Sequence, residues 1–349
     1  MQEYISLLKR LISTPSLSRE EDKAAEVIRD FLENSGVHFY IRNNNTWAFC
    51  RHFTGEKPVI LLNSHIDTVR PVAGWTTDPF LPLEEGDRIT GLGSNDAGGP
   101  LVALLAVFLH FYNRDDLPFD LIFSATAEEE NSGDRGIRSI LDEWPPLDLA
   151  IVGEPTRMEL AVAERGLLVL DGIARGKAGH AARQEGVNAI YKAVADIEIL
   201  RNFHFENSSE LLGPVKISIT QIEAGTQHNV VPDVCRFVVD IRTNEFYSNE
   251  AVFNKLSTLV SSELKPRSFR LNSSGIPVDH PLVVKARKSG IPLFGSPTTS
   301  DQAVIPYPSV KIGPGDSSRS HTADEYILKS EIFEGITSMT GLLEELHLR

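Results

Sequence analysis

The sequence predicts an α/β protein: a catalytic domain with a mainly parallel central sheet, interrupted by a smaller inserted ferredoxin-like α+β domain. Three observations predict it. Apolar, strand-like runs alternate with helical stretches over the first 163 residues and return near the end. The rhythm changes to strand, helix, strand, strand, helix, strand between residues 164 and 275. A chain of 349 residues with 41% hydrophobic content is also long for one core, which favours two domains. The expected division is 1–163 with 276–349 for the larger domain and 164–275 for the insert.

In chain order, "PVILLNSH", "FDLIFSATA" and "LDLAIVGE" read as buried strands and "GPLVALLAVFLHFY" as a helix, with Pro100 suited to its first turn. In the insert, "LLVLDGIARG", "PVKISITQIEAG", "CRFVVDIRT" and "SFRLNSS" read as strands, and "NAIYKAVADIEILRNF" and "NEAVFNKLSTLVSSEL" as helices. "SVKIGPGD" is a further core strand. A final helix presents Ile332, Ile336, Met339, Leu343 and Leu346 on one face and closes the larger domain.

The formal charge of −14 argues against nucleic acid or an anionic membrane as partner and favours a small soluble substrate. Only Cys50 and Cys235 are present, so neither a disulfide framework nor a cysteine-rich zinc site can be built, and a reducing, cytoplasmic compartment is expected. No basic leader or membrane-length apolar run is visible.

Chemistry concentrates at the carboxyl ends of the proposed core strands, where parallel sheets assemble their sites. His65 and Asp67 follow the first strand, Glu128, Glu129 and Glu130 the second, and Glu154 the third; His321 lies shortly after "KIGPGD", and "GLGSNDAGG" delivers Asp96 just before a helix. A lone Asp before a helix is ordinarily a cap; the combination is what points to metal. With His65, Asp96, Glu130, Glu154 and His321 around two divalent cations, three carboxylates offset three of four positive charges and a hydroxide offsets the last. Imidazoles with carboxylates and no thiolate suit zinc, with cobalt or manganese as substitutes. Asp96 is the natural bridge, because flanking glycines let backbone approach closely. Asp67, two residues from His65 on an extended chain, faces the same side and can orient the imidazole.

Taken together, "SHIDTV", the Asp96 loop, "TAEEE", "VGEPT", "GKAGHAA", "NVVPD" and "GPGDSSRSHTADEY" resemble, in order and spacing, the co-catalytic zinc exopeptidases and deacylases. That family includes acetylornithine deacetylase, succinyl-diaminopimelate desuccinylase, aminoacylase and carboxypeptidase G, and the resemblance spans essentially the whole chain. It implies two Zn2+ per chain, one held by His65 and Glu154, the other by Glu130 and His321, with Asp96 shared and its peptide bond to Ala97 cis. It makes Glu129 the general base, with Glu128 the rival by one place and otherwise a solvent-exposed charge. It assigns His180 to the developing oxyanion, and Asn229 and Arg242 to substrate; the alternative for Arg242 is an ordinary surface ion pair. The sequence departs from the family at Ala97 and Gly98, where a larger residue and a lysine are usual.

The resemblance further implies that residues 164–275 form a dimerisation and lid domain of a homodimer whose His180 serves the partner's site. The chain length and "GEPT" look most like an Nα-acyl-ornithine deacylase of arginine biosynthesis acting on an acetyl or succinyl substrate. Arg183 and Arg319 are candidates for a succinyl carboxylate. Diaminopimelate desuccinylation and dipeptide cleavage are rival reactions, and a binding module that has lost catalysis is a rival class. His228 and the remaining histidines, His38, His52, His110, His204, His280 and His347, are read as structural or surface residues.

Overall fold

The computed structural model describes residues 1–348. The chain forms two compact units: residues 1–162, 275–294 and from Ser300 onward make the first, and residues 163–274 with 295–299 the second. Relative to the expected division, the short return at 295–299 is new. It is held by hydrogen bonds from the Arg165 N–H to the Ser296 carbonyl (3.0 Å) and from the Thr299 hydroxyl to the Arg165 carbonyl (3.0 Å). Nothing in the local sequence announces partners so far away.

The first unit is built on a mixed sheet whose centre is parallel. Strands Asp120–Thr126, Val59–His65, Leu149–Val152 and Ser309–Lys311 lie side by side in that order, all parallel. Asn45–Phe49 joins antiparallel on one side. The runs are buried throughout, and mostly apolar, because both faces are covered. Ile60, Leu62, Leu121 and Phe123 pack into one core with residues of the helices Gln2–Ile12, Asp22–Asn34, Gly99–Phe111 and Lys329–Leu343. Val59, Leu61 and Ile122 pack on the other face with Trp47 and Trp144. Side chains alternate along a strand, so Asn63 and His65 continue the parity of Val59 and Leu61 and emerge on the Trp47 face.

The final helix ends earlier than its apolar pattern suggests. It spans Lys329–Leu343 and buries Ile332, Met339, Leu342 and Leu343; Leu346 is buried beyond its end, where the Leu346 N–H is bonded to the Leu343 carbonyl.

The second unit is a four-stranded antiparallel sheet in the order Lys216–Ala224, Val234–Thr243, Gly166–Arg175, Glu263–Pro266, with helices Ala189–Asn202 and Asn249–Ser257. This is the split β-α-β connectivity. Its last strand is Glu263–Pro266 and not the "SFRLNSS" segment, and the second helix stops at Ser257. The cause is Asp196, a buried carboxylate on the first helix, which accepts the amide and hydroxyl hydrogens of Ser261 and Ser262. These bonds end the helix and free the next residues to pair with 166–175. Among the described residues, no helix is long and apolar enough to cross a membrane.

Candidate metal centre

The strand Val59–His65 is buried along its whole length, and its last residue turns a ring nitrogen to each side. His65 Nδ1 lies 2.9 Å from the Asp67 carbonyl oxygen and 3.5 Å from its carboxylate, while Nε2 lies 3.3 Å from Asp96 Oδ1 and 4.0 Å from Glu154 Oε1. The sequence suggests that the Asp67 side chain orients the imidazole. The structure gives the shorter contact to the main-chain carbonyl and a second task to the carboxylate, which accepts the N–H of Glu129 (3.0 Å), the N–H of Glu130 (3.1 Å) and the Ser18 hydroxyl (2.6 Å). Asp67 therefore ties the end of one strand to the glutamate turn after the next.

That turn separates three consecutive glutamates. Glu128 adopts a left-handed backbone (φ 55°), and the Gly133 N–H closes the loop on its carbonyl at 2.8 Å. Its side chain is buried, not the solvent-exposed charge that the sequence offers as the alternative, and accepts the Arg135 N–H at 3.2 Å. A Cβ at Gly133 would run into the Glu128 side chain, so any larger residue there would displace that carboxylate. Glu130 points the other way, to His321 Nε2 at 3.1 Å.

Asp96 sits in the tight turn before the helix Gly99–Phe111, and its bond to Ala97 is cis. Gly93 has φ 72°, and a Cβ there would lie 2.6 Å from Thr68, so the turn admits no side chain at that position. The Asp96 carboxylate has Oδ1 toward His65 and Oδ2 toward His321 Nε2 at 3.5 Å. One carboxylate thus stands between two imidazoles. His65, Asp96 and Glu130 each offer a ligand atom within 4.8 Å of the others, so the His65 and His321 sides are contiguous.

The electrostatics of the cluster are those of a place short of positive charge. Burial, reinforced by neighbouring Asp96, pushes the Glu154 carboxyl up to about 8. Burial, with Glu154, Asp301 and Glu130 nearby, pushes half-buried Glu129 well above its usual range. Burial alone would lower His65, but Asp67, Asp96, Glu129 and Glu154 outweigh it and hold the imidazole well above its ordinary value. His321 is pushed up to about 9 by its hydrogen bond to Glu130. Buried carboxylates that repel one another beside imidazoles that retain protons are relieved by cations. The donor set, imidazole and carboxylate without thiolate, fits a divalent metal.

Three supporting carboxylates escape a reading of the sequence. Glu21 is buried and accepts the Glu128 N–H. Asp301 is buried beneath the strand ends and accepts from Asn63 (2.9 Å) and Thr126 (3.0 Å); burial raises it to about 6. Glu325 lies inside the quoted motif around His321, and its carboxylate accepts three backbone N–H groups of the Asp96 turn.

The candidate residues for substrate and oxyanion, His180, Asn229 and Arg242, lie in the second unit. His180 is exposed in a two-stranded ribbon that pairs Gly179–His180 with Val230–Val231, and the Ala181 N–H reaches the Asn229 carbonyl at 3.0 Å, so "GKAGHAA" and "NVVPD" meet. Arg242 already spends its fork on Asp240, two residues away, at 2.9 and 3.1 Å. In the first unit, Arg319 is likewise engaged, forked on Glu331 at 2.8 and 3.0 Å and stacked over Tyr326.

The chain is 30% identical to a LysW-lysine/LysW-ornithine hydrolase of Sulfurisphaera tokodaii over 98% of its own length and 95% of that protein's. It is 26% identical to a succinyl-diaminopimelate desuccinylase of Xylella fastidiosa, over 99% and 98% of the two chains. Its fold is that of a dinuclear metal-binding peptidase of Bacillus subtilis, with a TM-score of 0.75 at 18% identity over 100% and 99% of the chains. A family match runs from residue 61 to 345, from the strand that ends in His65 past the turn that carries His321, and by it the chain belongs to peptidase family M20/M25/M40, a family of metal-dependent hydrolases.

Proposed function

We propose that this protein is a dinuclear zinc amidohydrolase that removes an Nα-acyl group, acetyl or succinyl, from an amino acid, with ornithine in cytoplasmic arginine biosynthesis as the substrate setting. The observation that carries the reading is the single carboxylate of Asp96 between His65 and His321. His65 and Glu154 would hold one cation, Glu130 and His321 the other, and Asp96 both. When bound, zinc supplies Lewis acidity toward the scissile carbonyl and acidifies water. Glu129, set among the ligands but not needed as one, takes the proton of the attacking water and returns it to the leaving amine. Asp67 fixes the Glu129 and Glu130 amides, so base and ligand keep their relative places. His180 would donate to the developing oxyanion, and Asn229 and Arg242 would bind substrate, Arg242 by exchanging Asp240 for an α-carboxylate.

Ornithine is supported by the name of the Sulfurisphaera relative, and an acidic acyl group by that of the Xylella relative. With Arg319 committed to Glu331, Arg183 is the candidate left for a succinyl carboxylate. Hydrolysis of Nα-acetyl and Nα-succinyl derivatives of ornithine, lysine, citrulline and diaminopimelate, with added zinc, tests the assignment. The highest kcat/KM is expected on an ornithine derivative. A preference for diaminopimelate or for dipeptides would move the protein to those reactions, and no turnover on any would leave a binding module.

Zinc affinity should rise with pH. Ligation requires deprotonated imidazole and carboxylate, while His321 holds its proton up to about 9 and Glu154 up to about 8 without metal. Binding therefore releases protons, and each is released more cheaply as pH climbs toward those values. Competition with a chelator of known pH dependence between pH 6 and 9 measures it; a flat profile would contradict the ligand set.

The proposal of a homodimer is supported by the second unit's surface. Tyr191 (74% exposed) and Val194 stand on the outer face of the helix Ala189–Asn202, and Lys216–Ala224 is an edge strand with Ile222 exposed. Open edges and apolar patches of this kind invite pairing. If His180 serves the partner's site, His180→Ala and Glu129→Ala should each be inactive alone, and equal mixing with subunit exchange should restore about a quarter of wild-type activity, by random pairing in a two-fold dimer. Proven heterodimers without recovery would place His180 in its own chain's site or outside catalysis.

A further inference from the structure

Glu325 is one of the buried carboxylates that the proposed chemistry leaves unused, and its partners are the backbone of the Asp96 turn itself. It is 2% exposed, and its oxygens accept the N–H groups of Asn95 (2.8 Å), Asp96 (2.9 Å) and Gly93 (3.2 Å). Its own carbonyl accepts the Gly91 N–H at 2.9 Å, and the strand it precedes, Tyr326–Leu328, pairs with Arg88–Thr90, which leads into the same turn. The segment from His321 to Glu325 therefore grips Asp96 twice: His321 faces its carboxylate at 3.5 Å, and Glu325 takes its amide. Three N–H groups converging on one carboxylate fix the turn's backbone, and with it the direction of the Asp96 side chain.

We infer that Glu325 is a positioning residue: by anchoring the 93–96 turn it holds the Asp96 carboxylate between His65 and His321 and so sets the affinity of the centre for divalent cations. The inference rests on the dinuclear reading. A carboxamide replaces the carboxylate only in part: its one oxygen can keep the Asn95 and Asp96 N–H groups that share Oε1, but its amino group then faces the Gly93 N–H donor. A turn left with an unpaired buried donor shifts, and the bridging carboxylate shifts with it.

The test compares wild type, Glu325→Gln and Glu325→Asp for zinc affinity by chelator competition, with thermal midpoints of the metal-free proteins measured alongside. Glu325→Gln should bind zinc about 10–100-fold more weakly, the usual loss when a group supporting a ligand is removed. Glu325→Asp, which keeps the charge one methylene short of the turn, should fall between the two. A lowered thermal midpoint with wild-type zinc affinity in either folded variant would make Glu325 merely structural and overturn the inference. Amide hydrogen exchange of metal-free wild type reads the anchor without any variant: the Asn95 and Asp96 amides should be protected, and exchange at exposed-loop rates would overturn the inference even if neither variant folds. Wild type that binds no zinc would defeat the dinuclear reading by itself, whereas wild-type binding that is unchanged in Glu325→Gln defeats only the positioning role.

Discussion

Glu129→Gln is expected to lower kcat by about 10²–10⁴-fold, the range that a positioned general base supplies, while the protein keeps its full complement of metal. The carboxamide is nearly isosteric and removes a proton acceptor, and the proposed ligands remain. The Glu129 amide on Asp67 is also untouched, since that bond is made by the backbone. Glu128→Gln makes the informative contrast. The Glu128 carboxylate faces the Arg135 amide inside its own loop, so this variant should lose stability and keep turnover per folded molecule. Steady-state kinetics with metal analysis on both variants decides the matter. Abolished turnover in Glu128→Gln with a working Glu129→Gln would exchange the two roles.

Asp96→Ala should cost the protein both cations, and this separates a bridge from an ordinary ligand. Its two oxygens face different imidazoles, so its loss takes a donor and a negative charge from each side at once. Each affinity should fall by at least about 100-fold, the upper end of what even a supporting residue costs. His321→Ala, by contrast, should weaken one cation and largely spare the other. Zinc titration followed calorimetrically reads both steps. A single lost step in Asp96→Ala, with the second unchanged, would mean that Asp96 serves one ion only.

What was legible in the sequence is what local chemistry announces. Strand and helix periods mark the parallel centre of the sheet, and His65, Glu130, Glu154 and His321 stand out as candidate ligands, with Asp67 beside the first, because metal-binding side chains come from few residue types and gather at strand ends. Asp96 was visible through its glycines. The separate directions of Glu128, Glu129 and Glu130 were not, because they depend on a left-handed residue and on Asp67, more than sixty positions earlier. The same reason hid Glu21, Asp301 and Glu325: a carboxylate whose partners are backbone amides or side chains far along the chain carries no mark in its neighbours. It also hid the early end of the second helix in the inserted unit, which Asp196 dictates from another element. The sequence by itself determined which candidate donors the chain carries and the order in which they arrive. Only the tertiary structure decided which oxygens face which nitrogens, because backbone hydrogen bonds between distant segments orient a side chain, and those are formed by the fold as a whole.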